Sequence, residues 1–273
     1  MILFVFEGDR DTRVFNTLMS VFFPDLKESP ICVYRSNIYS LYSKLKDYDP
    51  FNQLAHDGDT VSVLREILRE KDDTTLEHVV SSDISEIYLF FDYDFQHKRG
   101  TLKENNECVR KMLAYFDNET DNGKLYIHYP MLESIRYTKE LPDRNYGQYV
   151  VNREDCRGFK TLANEFSAYP SLDHICLPEK ALSLSTAYRQ KCWETICQNW
   201  KYLVQMNVRK AHSLCKEVEA FPVDKDLIRQ TDIYANQLRK HVNQESCRVS
   251  ILNAFPLFLY DYFEKDKFDD KNR

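Results

Sequence analysis

The segment IYLFFDYD, at residues 87–94, is the strongest strand signal in the chain. Its five consecutive apolar or aromatic residues are typical of a strand that is buried on both faces of a parallel sheet. Two aspartates, Asp92 and Asp94, follow where such a strand ends. The segment therefore predicts a central strand that carries two carboxylates at its carboxyl end.

The same kind of apolar run opens the chain, where residues 2–6 are followed by Glu7 and Gly8. Further strands are predicted over 31–34 and 125–129, and a polar loop is predicted over 47–58. Apolar spacing predicts helices over residues 14–22, 38–45, 61–68 and 108–116, with another beginning at Pro130. Four strands separated by helices favour an α/β fold with a central parallel four-stranded sheet flanked by helices.

The second half of the sequence is dominated by helical spacing, and strand signals nearly vanish. Helices are predicted over residues 155–166, 185–209, 226–242 and 245–264. A polar stretch over 142–148 predicts the boundary between the two halves. We therefore predict an α/β domain over 1–145 and a mostly helical C-terminal region over 146–273, which acts as a cap, in oligomerisation or in partner binding.

Composition excludes several classes of protein. The 273 residues include only 6 glycines, which argues against Gly-rich phosphate-binding loops. No apolar run approaches the ~20 residues of a membrane-spanning helix, and the opening residues lack the features of a signal peptide. The 8 dispersed cysteines predict a reduced, cytoplasmic chain, and the spacing of Cys192, Cys197, His212 and Cys215 is not a common zinc pattern.

The acidic residues are concentrated in the first half of the chain. Residues 1–150 carry 18 basic and 26 acidic residues, whereas residues 151–273 carry 19 and 17. Open parallel sheets bind ligands outside the carboxyl ends of their strands. The acids expected at that edge are Glu7, Asp9, Asp11, Asp92, Asp94 and Glu133.

Carboxylates crowded together repel one another and raise their own pKa values. A divalent cation relieves that repulsion, and hard oxygen ligands favour Mg²⁺ or Mn²⁺ over zinc. The pattern therefore predicts phosphodiester chemistry with one or two such ions. The alternative is that these acids solvate loops or cap helices, as Asp9 or Asp11 would at the helix beginning near Thr12.

Two motifs, FVFEGDRDT at residues 4–12 and IYLFFDYD at residues 87–94, resemble those of the Toprim domain. That domain occurs in topoisomerases, bacterial primases, OLD-type nucleases and small anti-phage effectors. The resemblance covers about residues 1–140. It does not extend to the catalytic tyrosine of a topoisomerase, the zinc-binding domain of a primase or an ATPase motif G-x-x-x-x-G-K.

The resemblance implies a role for each matching acid. Glu7 corresponds to the family glutamate, a general acid/base or metal ligand, and Asp92 and Asp94 correspond to its metal-binding D-x-D. Asp11 resembles the extra acid of OLD-like nucleases that helps to hold a second metal ion. Glu133 resembles a later acid of the small effectors, although a glutamate in the first turn of a helix is equally explained by the helix dipole.

The resemblance also implies a function, a metal-dependent nuclease acting on DNA or RNA. It would be the effector of an anti-phage defence system that works with a separate ATPase, and it would form a homo-oligomer. Two alternatives stay open: a degenerate Toprim module that binds or senses without catalysis, and a phosphatase or phosphotransferase of another α/β class.

Basic and aromatic residues supply candidates for substrate contacts. Lys98 is predicted to assist catalysis by contacting the phosphate, and Arg136 by stabilising the negative charge that develops on it. Lys98 lies between His97 and Arg99, and these three residues are equally well explained as part of a solvated loop. Aromatic side chains of the C-terminal helix, including Phe255 and Phe258, could stack on bases, but such a stripe is more often core or oligomer interface.

Overall fold

The computed structural model describes residues 1–24, 29, 31–47, 59–177, 185–242, 247–263 and 267–268. The loop predicted over 47–58 lies almost wholly outside these residues. No helix within the described ranges is long and apolar enough to cross a membrane.

A five-stranded sheet with the order β2-β1-β3-β5-β4 forms the centre of the fold. The strands are β1 (Ile2–Phe6), β2 (Ile31–Val33), β3 (Glu86–Asp92), β4 (Asp117–Asn118) and β5 (Gly123–His128). The four strands other than β4 run parallel, and β4 pairs antiparallel with β5 at the edge. The predicted count of four strands is therefore wrong, because two polar residues are too few to produce a periodic signal.

Helices connect the strands as predicted for the α/β class. They are α1 (Asp9–Phe22), α2 (Ile38–Asp47), α3 (Thr60–Arg69) and α4 (Leu102–Tyr115). The side chain of Asp59 caps α3, and Thr101 with Glu104 forms a capping box at the start of α4. The α-helix predicted from Pro130 is wrong, because only the short 3₁₀ helix Leu132–Arg136 follows β5.

The second half contains helices and one small sheet. The helices are α5 (Phe159–Phe166), α6 (Thr186–Lys216), α7 (Gln230–His241) and α8 (Ala254–Phe263). Strand β6 (Val150–Asn152) pairs antiparallel with β7 (Arg248–Ser250). The helix predicted over 245–264 is therefore wrong in its first part, because the partner that makes 248–250 a strand lies far away in the sequence.

Helix α8 covers one face of the central sheet. Phe255 lies with its ring centroid 5.1 Å from that of Phe90 on β3, and Phe258 lies 6.2 Å from Phe4 on β1. Phe15 of α1 packs on the same face, 4.7 Å from Phe6. The aromatic stripe is core, as the sequence favoured, and each such ring contributes about 1.5–3 kcal/mol on burial. The division at residue 145 stays a prediction, although the two segments share this core.

Candidate active site at the carboxyl edge of the sheet

The strand order places the carboxyl ends of β1 and β3 side by side, at the point where the order of strands in the sheet reverses. Strand β2, which follows β1 in the chain, lies on one side of β1, whereas β3 lies on its other side. The crevice outside such a point is where open α/β sheets bind ligands. Glu7 follows β1 there, and Asp92 ends β3.

Glu7 and Asp92 are in direct contact. The Oε2 atom of Glu7 accepts a hydrogen bond from the backbone N–H of Asp92 at 3.0 Å. The Oδ1 atom of Asp92 in turn accepts from the backbone N–H of Leu132 at 2.8 Å. Each carboxylate is thus held by a backbone N–H donor. Because both acids are only half-buried, their carboxylates still reach the crevice.

Asp94 is brought to the same place by an unusual backbone conformation. Its φ of 48° lies in the left-handed region, which L-residues other than Asn and Asp seldom adopt. The Oδ1 atom of Asp94 accepts from the side-chain amide of Gln96 at 3.1 Å. The turn that ends β3 thus directs the chain away from the pleat immediately after the two aspartates.

Asp11 lies in the first turn of α1 and is buried. Its Oδ2 atom accepts from the backbone N–H of Gly8 at 3.1 Å, so part of its role is the helix capping that the sequence left open. Its Oδ1 atom lies 3.5 Å from Nε2 of His128, the last residue of β5. The sequence did not indicate His128 as a site residue, because a histidine at the end of an apolar strand forms no recognisable motif.

The acids perturb one another electrostatically. Burial, followed by the charge of Asp94, raises the pKa of Glu7 to about 8. Burial and then Glu7 raise the pKa of Asp92 well above its ordinary value, and burial also raises the pKa of Asp94. The cluster therefore carries less than its full negative charge near neutral pH, and bound cations would displace protons from it.

Glu133 is buried at this edge but is engaged by two cations. Its Oε1 atom lies 2.5 Å from Nη1 of Arg10 and 3.9 Å from Nζ of Lys160. The charge of Lys160 acts to lower the pKa values of Glu7 and Asp94, but burial raises both values by more. The sequence did not indicate either cation: Arg10 lies inside the first motif without a role of its own there, and Lys160 lies about 150 residues after that motif and gives no local signal.

Arg136 and Lys98 make no hydrogen bond or ion pair with the acids within the described ranges, although the charge of Glu133 acts on Arg136 and opposes the lowering of its pKa by burial. The buried guanidinium of Arg136 donates to the backbone carbonyls of Pro170 and Lys160. Lys98 is exposed and lines a hollow of about 580 Å³ together with Arg153 and other residues. Catalytic roles for these two residues stay predictions.

The donor chemistry of the cluster fits Mg²⁺ or Mn²⁺. Glu7, Asp11, Asp92 and Asp94 supply hard carboxylate oxygens, and Oδ1 of Asp11 is buried without a hydrogen-bond partner among the described residues. Within those residues, no group of three or more His, Cys, Asp or Glu is already arranged to hold an ion.

Comparison of the chain with protein-family models, curated protein sequences and solved structures finds no match. The resemblance to the Toprim domain therefore rests on the two sequence motifs alone.

Proposed function

We propose that the protein is a metal-dependent nuclease that hydrolyses phosphodiester bonds at the carboxyl edge of its sheet. The observation that carries this proposal is the contact between Glu7, with a pKa raised to about 8, and Asp92. The contact lies where ligands bind in open α/β sheets, and it joins the two motifs that resemble the Toprim domain.

The residues at this edge suit the steps of phosphodiester hydrolysis. Glu7 can hold or accept a proton near neutral pH, which is what a general acid/base requires. Glu7, Asp11, Asp92 and Asp94 would hold one or two Mg²⁺ or Mn²⁺ ions, which supply charge neutralisation and phosphate polarisation when bound. Lys160 and Arg10, which both contact Glu133 at this edge, would be available to meet a phosphate there.

Two hollows adjoining the loop over 94–99 support a nucleic-acid substrate. A groove of about 1240 Å³ is lined by Arg99, Lys103 and the pair Tyr39 and His97, whose rings stack at 4.2 Å. The hollow that Lys98 lines also contains arginine side chains. Cations and aromatic rings beside the acids suit a phosphate backbone and its bases.

On the resemblance alone, we further propose that the chain is the effector of an anti-phage defence system. It would work with a separate ATPase and as a homo-oligomer. A binding or sensing module without catalysis is the second candidate, and it is favoured by the lack of a preformed metal-holding group among the described residues.

The proposal is tested by incubating the purified chain with DNA and RNA in Mg²⁺, Mn²⁺ or EDTA. We expect cleavage that depends on the cation and is lost in Glu7→Ala and Asp92→Ala. The matched control is Asp121→Ala, an exposed acid at the opposite end of β5, which should cleave like the wild type. Cleavage that survives in both site variants would refute the proposal. If no cleavage occurs but cation-dependent binding does, the second candidate is favoured.

A further inference from the structure

Two buried polar atoms face each other beneath the acidic cluster without completing a hydrogen bond. They are Oδ1 of Asp11 and Nε2 of His128, 3.5 Å apart. The side chain of Asp11 is 7% exposed and that of His128 is fully buried. Neither atom has a hydrogen-bond partner among the residues that the structure describes, although buried polar groups in proteins usually have one.

The position of the proton on His128 follows from its other nitrogen. The backbone N–H of Ala254 points at Nδ1 of His128 at 3.2 Å. Because Nδ1 accepts this hydrogen bond, it carries no proton, and the neutral ring carries its proton on Nε2. The ring of Phe255 stands edge-on against the imidazole at 4.9 Å and limits its rotation. The proton is thus carried by the nitrogen that lies 3.5 Å from Oδ1 of Asp11.

An Nε2 atom that bears a proton cannot ligate a cation, so His128 cannot bind the ion itself. It can donate to Oδ1 of Asp11 while Gly8 donates to Oδ2. When each of the two oxygens of a carboxylate accepts one hydrogen bond, the orientation of the carboxylate is fixed and lone pairs remain for a metal ion. The sheet register sets His128 beside Asp92 in neighbouring strands, so the histidine is attached to the same edge as the acids.

We propose that His128 is a positioning residue that orients the Asp11 carboxylate for a divalent cation. This inference rests on the proposed function, because it assumes that the cluster binds Mg²⁺ or Mn²⁺. Partners of this kind that orient metal ligands typically contribute 10–100-fold to metal affinity. The interaction is specific to Asp11, which separates it from a general contribution of His128 to core packing.

The test measures Mn²⁺ affinity by electron paramagnetic resonance for the full chain and four variants. They are His128→Leu, His128→Gln, Asp11→Asn and the double variant His128→Leu with Asp11→Asn. We expect His128→Leu to weaken Mn²⁺ binding by about 10–100-fold. His128→Gln should restore most of the affinity, since its amide N–H reaches about the position of Nε2. In the Asp11→Asn background, His128→Leu should cause no further loss.

Several outcomes would overturn the inference. Wild-type affinity in His128→Leu would do so, and so would losses that add in the double variant, because a purely structural role acts independently of Asp11. If His128→Leu does not fold, ¹⁵N NMR of the wild-type histidine decides, and a proton on Nδ1 overturns the inference. A wild-type chain that binds no Mn²⁺ refutes the proposed function instead, whereas binding with additive losses refutes only the role of His128.

Discussion

Replacing Glu7 by Gln should raise the stability of the protein at alkaline pH and leave it nearly unchanged at pH 5. Burial and the nearby charge of Asp94 raise the pKa of Glu7 from 4.5 to about 8. Between these values the folded protein keeps a proton that the unfolded chain has released. The free energy of unfolding therefore falls as pH rises through this interval.

The magnitude follows from the size of the pKa change. Each tenfold change in an equilibrium is worth about 1.4 kcal/mol, so the rise from 4.5 to about 8 corresponds to a loss of about 5 kcal/mol above pH 8. Glutamine has nearly the same shape, does not ionise, and can still accept the N–H of Asp92 through its amide oxygen. The variant should therefore escape most of this loss.

Urea denaturation followed by circular dichroism, in EDTA at pH 5 to 9, measures the effect. We expect the two curves of unfolding free energy to meet near pH 5 and to separate by several kcal/mol at pH 9. At a few degrees per kcal/mol for a chain of this size, the melting temperatures should differ by about 10 °C there. Mg²⁺ should narrow the difference in unfolding free energy between the two proteins, because it stabilises the wild-type site, in which residue 7 can ionise, more than the variant site.

The matched control is Glu165→Gln, which changes an exposed glutamate on α5. Its curve should run parallel to that of the wild type. If the Glu7→Gln curve also stays parallel to the wild-type curve from pH 5 to 9, the raised pKa of Glu7 is refuted, and with it the electrostatic argument for a general acid/base at this position.

Three further substitutions test other contacts. Phe255→Ala should lower the free energy of unfolding by about 3–5 kcal/mol in urea denaturation, because the ring fills the space between the sheet and α8. Asp94→Gly should abolish cleavage yet change stability by only about 1 kcal/mol, because glycine adopts the φ of 48° freely; a large stability loss in denaturation would contradict this. Arg10→Ala should lower stability by about 1 kcal/mol, because the buried Glu133 loses the closer of its two cations and keeps Lys160 at 3.9 Å, and adding Glu133→Gln should restore the stability in thermal unfolding.

Local patterns were sufficient for much of the fold. The run over 87–91 predicted a buried strand, and β3 occupies Glu86–Asp92. The alternation of such runs with helices predicted an α/β fold with a parallel sheet; the structure confirms the α/β class, and four of the five strands run parallel. These features depend on residues close together in sequence, because hydrophobic periodicity reports the burial of successive side chains.

The candidate site was predicted only in outline. The sequence placed acids after strands, and Glu7 and Asp92 do meet. It did not indicate that Arg10 and Lys160 engage Glu133, nor that His128 faces Asp11. Their partners come from other elements, so no spacing in the sequence relates them.

Tertiary pairing decided the remaining features. Strand β7 exists because β6 pairs with it from about 100 residues away, and α8 lies on the sheet because its rings fit those of β1 and β3. The sequence alone was enough to show that carboxylates follow two buried strands. That β1 and β3 are neighbours, and so bring Glu7 within 3.0 Å of the Asp92 backbone, was decided by the order of strands in the folded sheet. Strand order arises from contacts distant in sequence, and local periodicity carries no information about them.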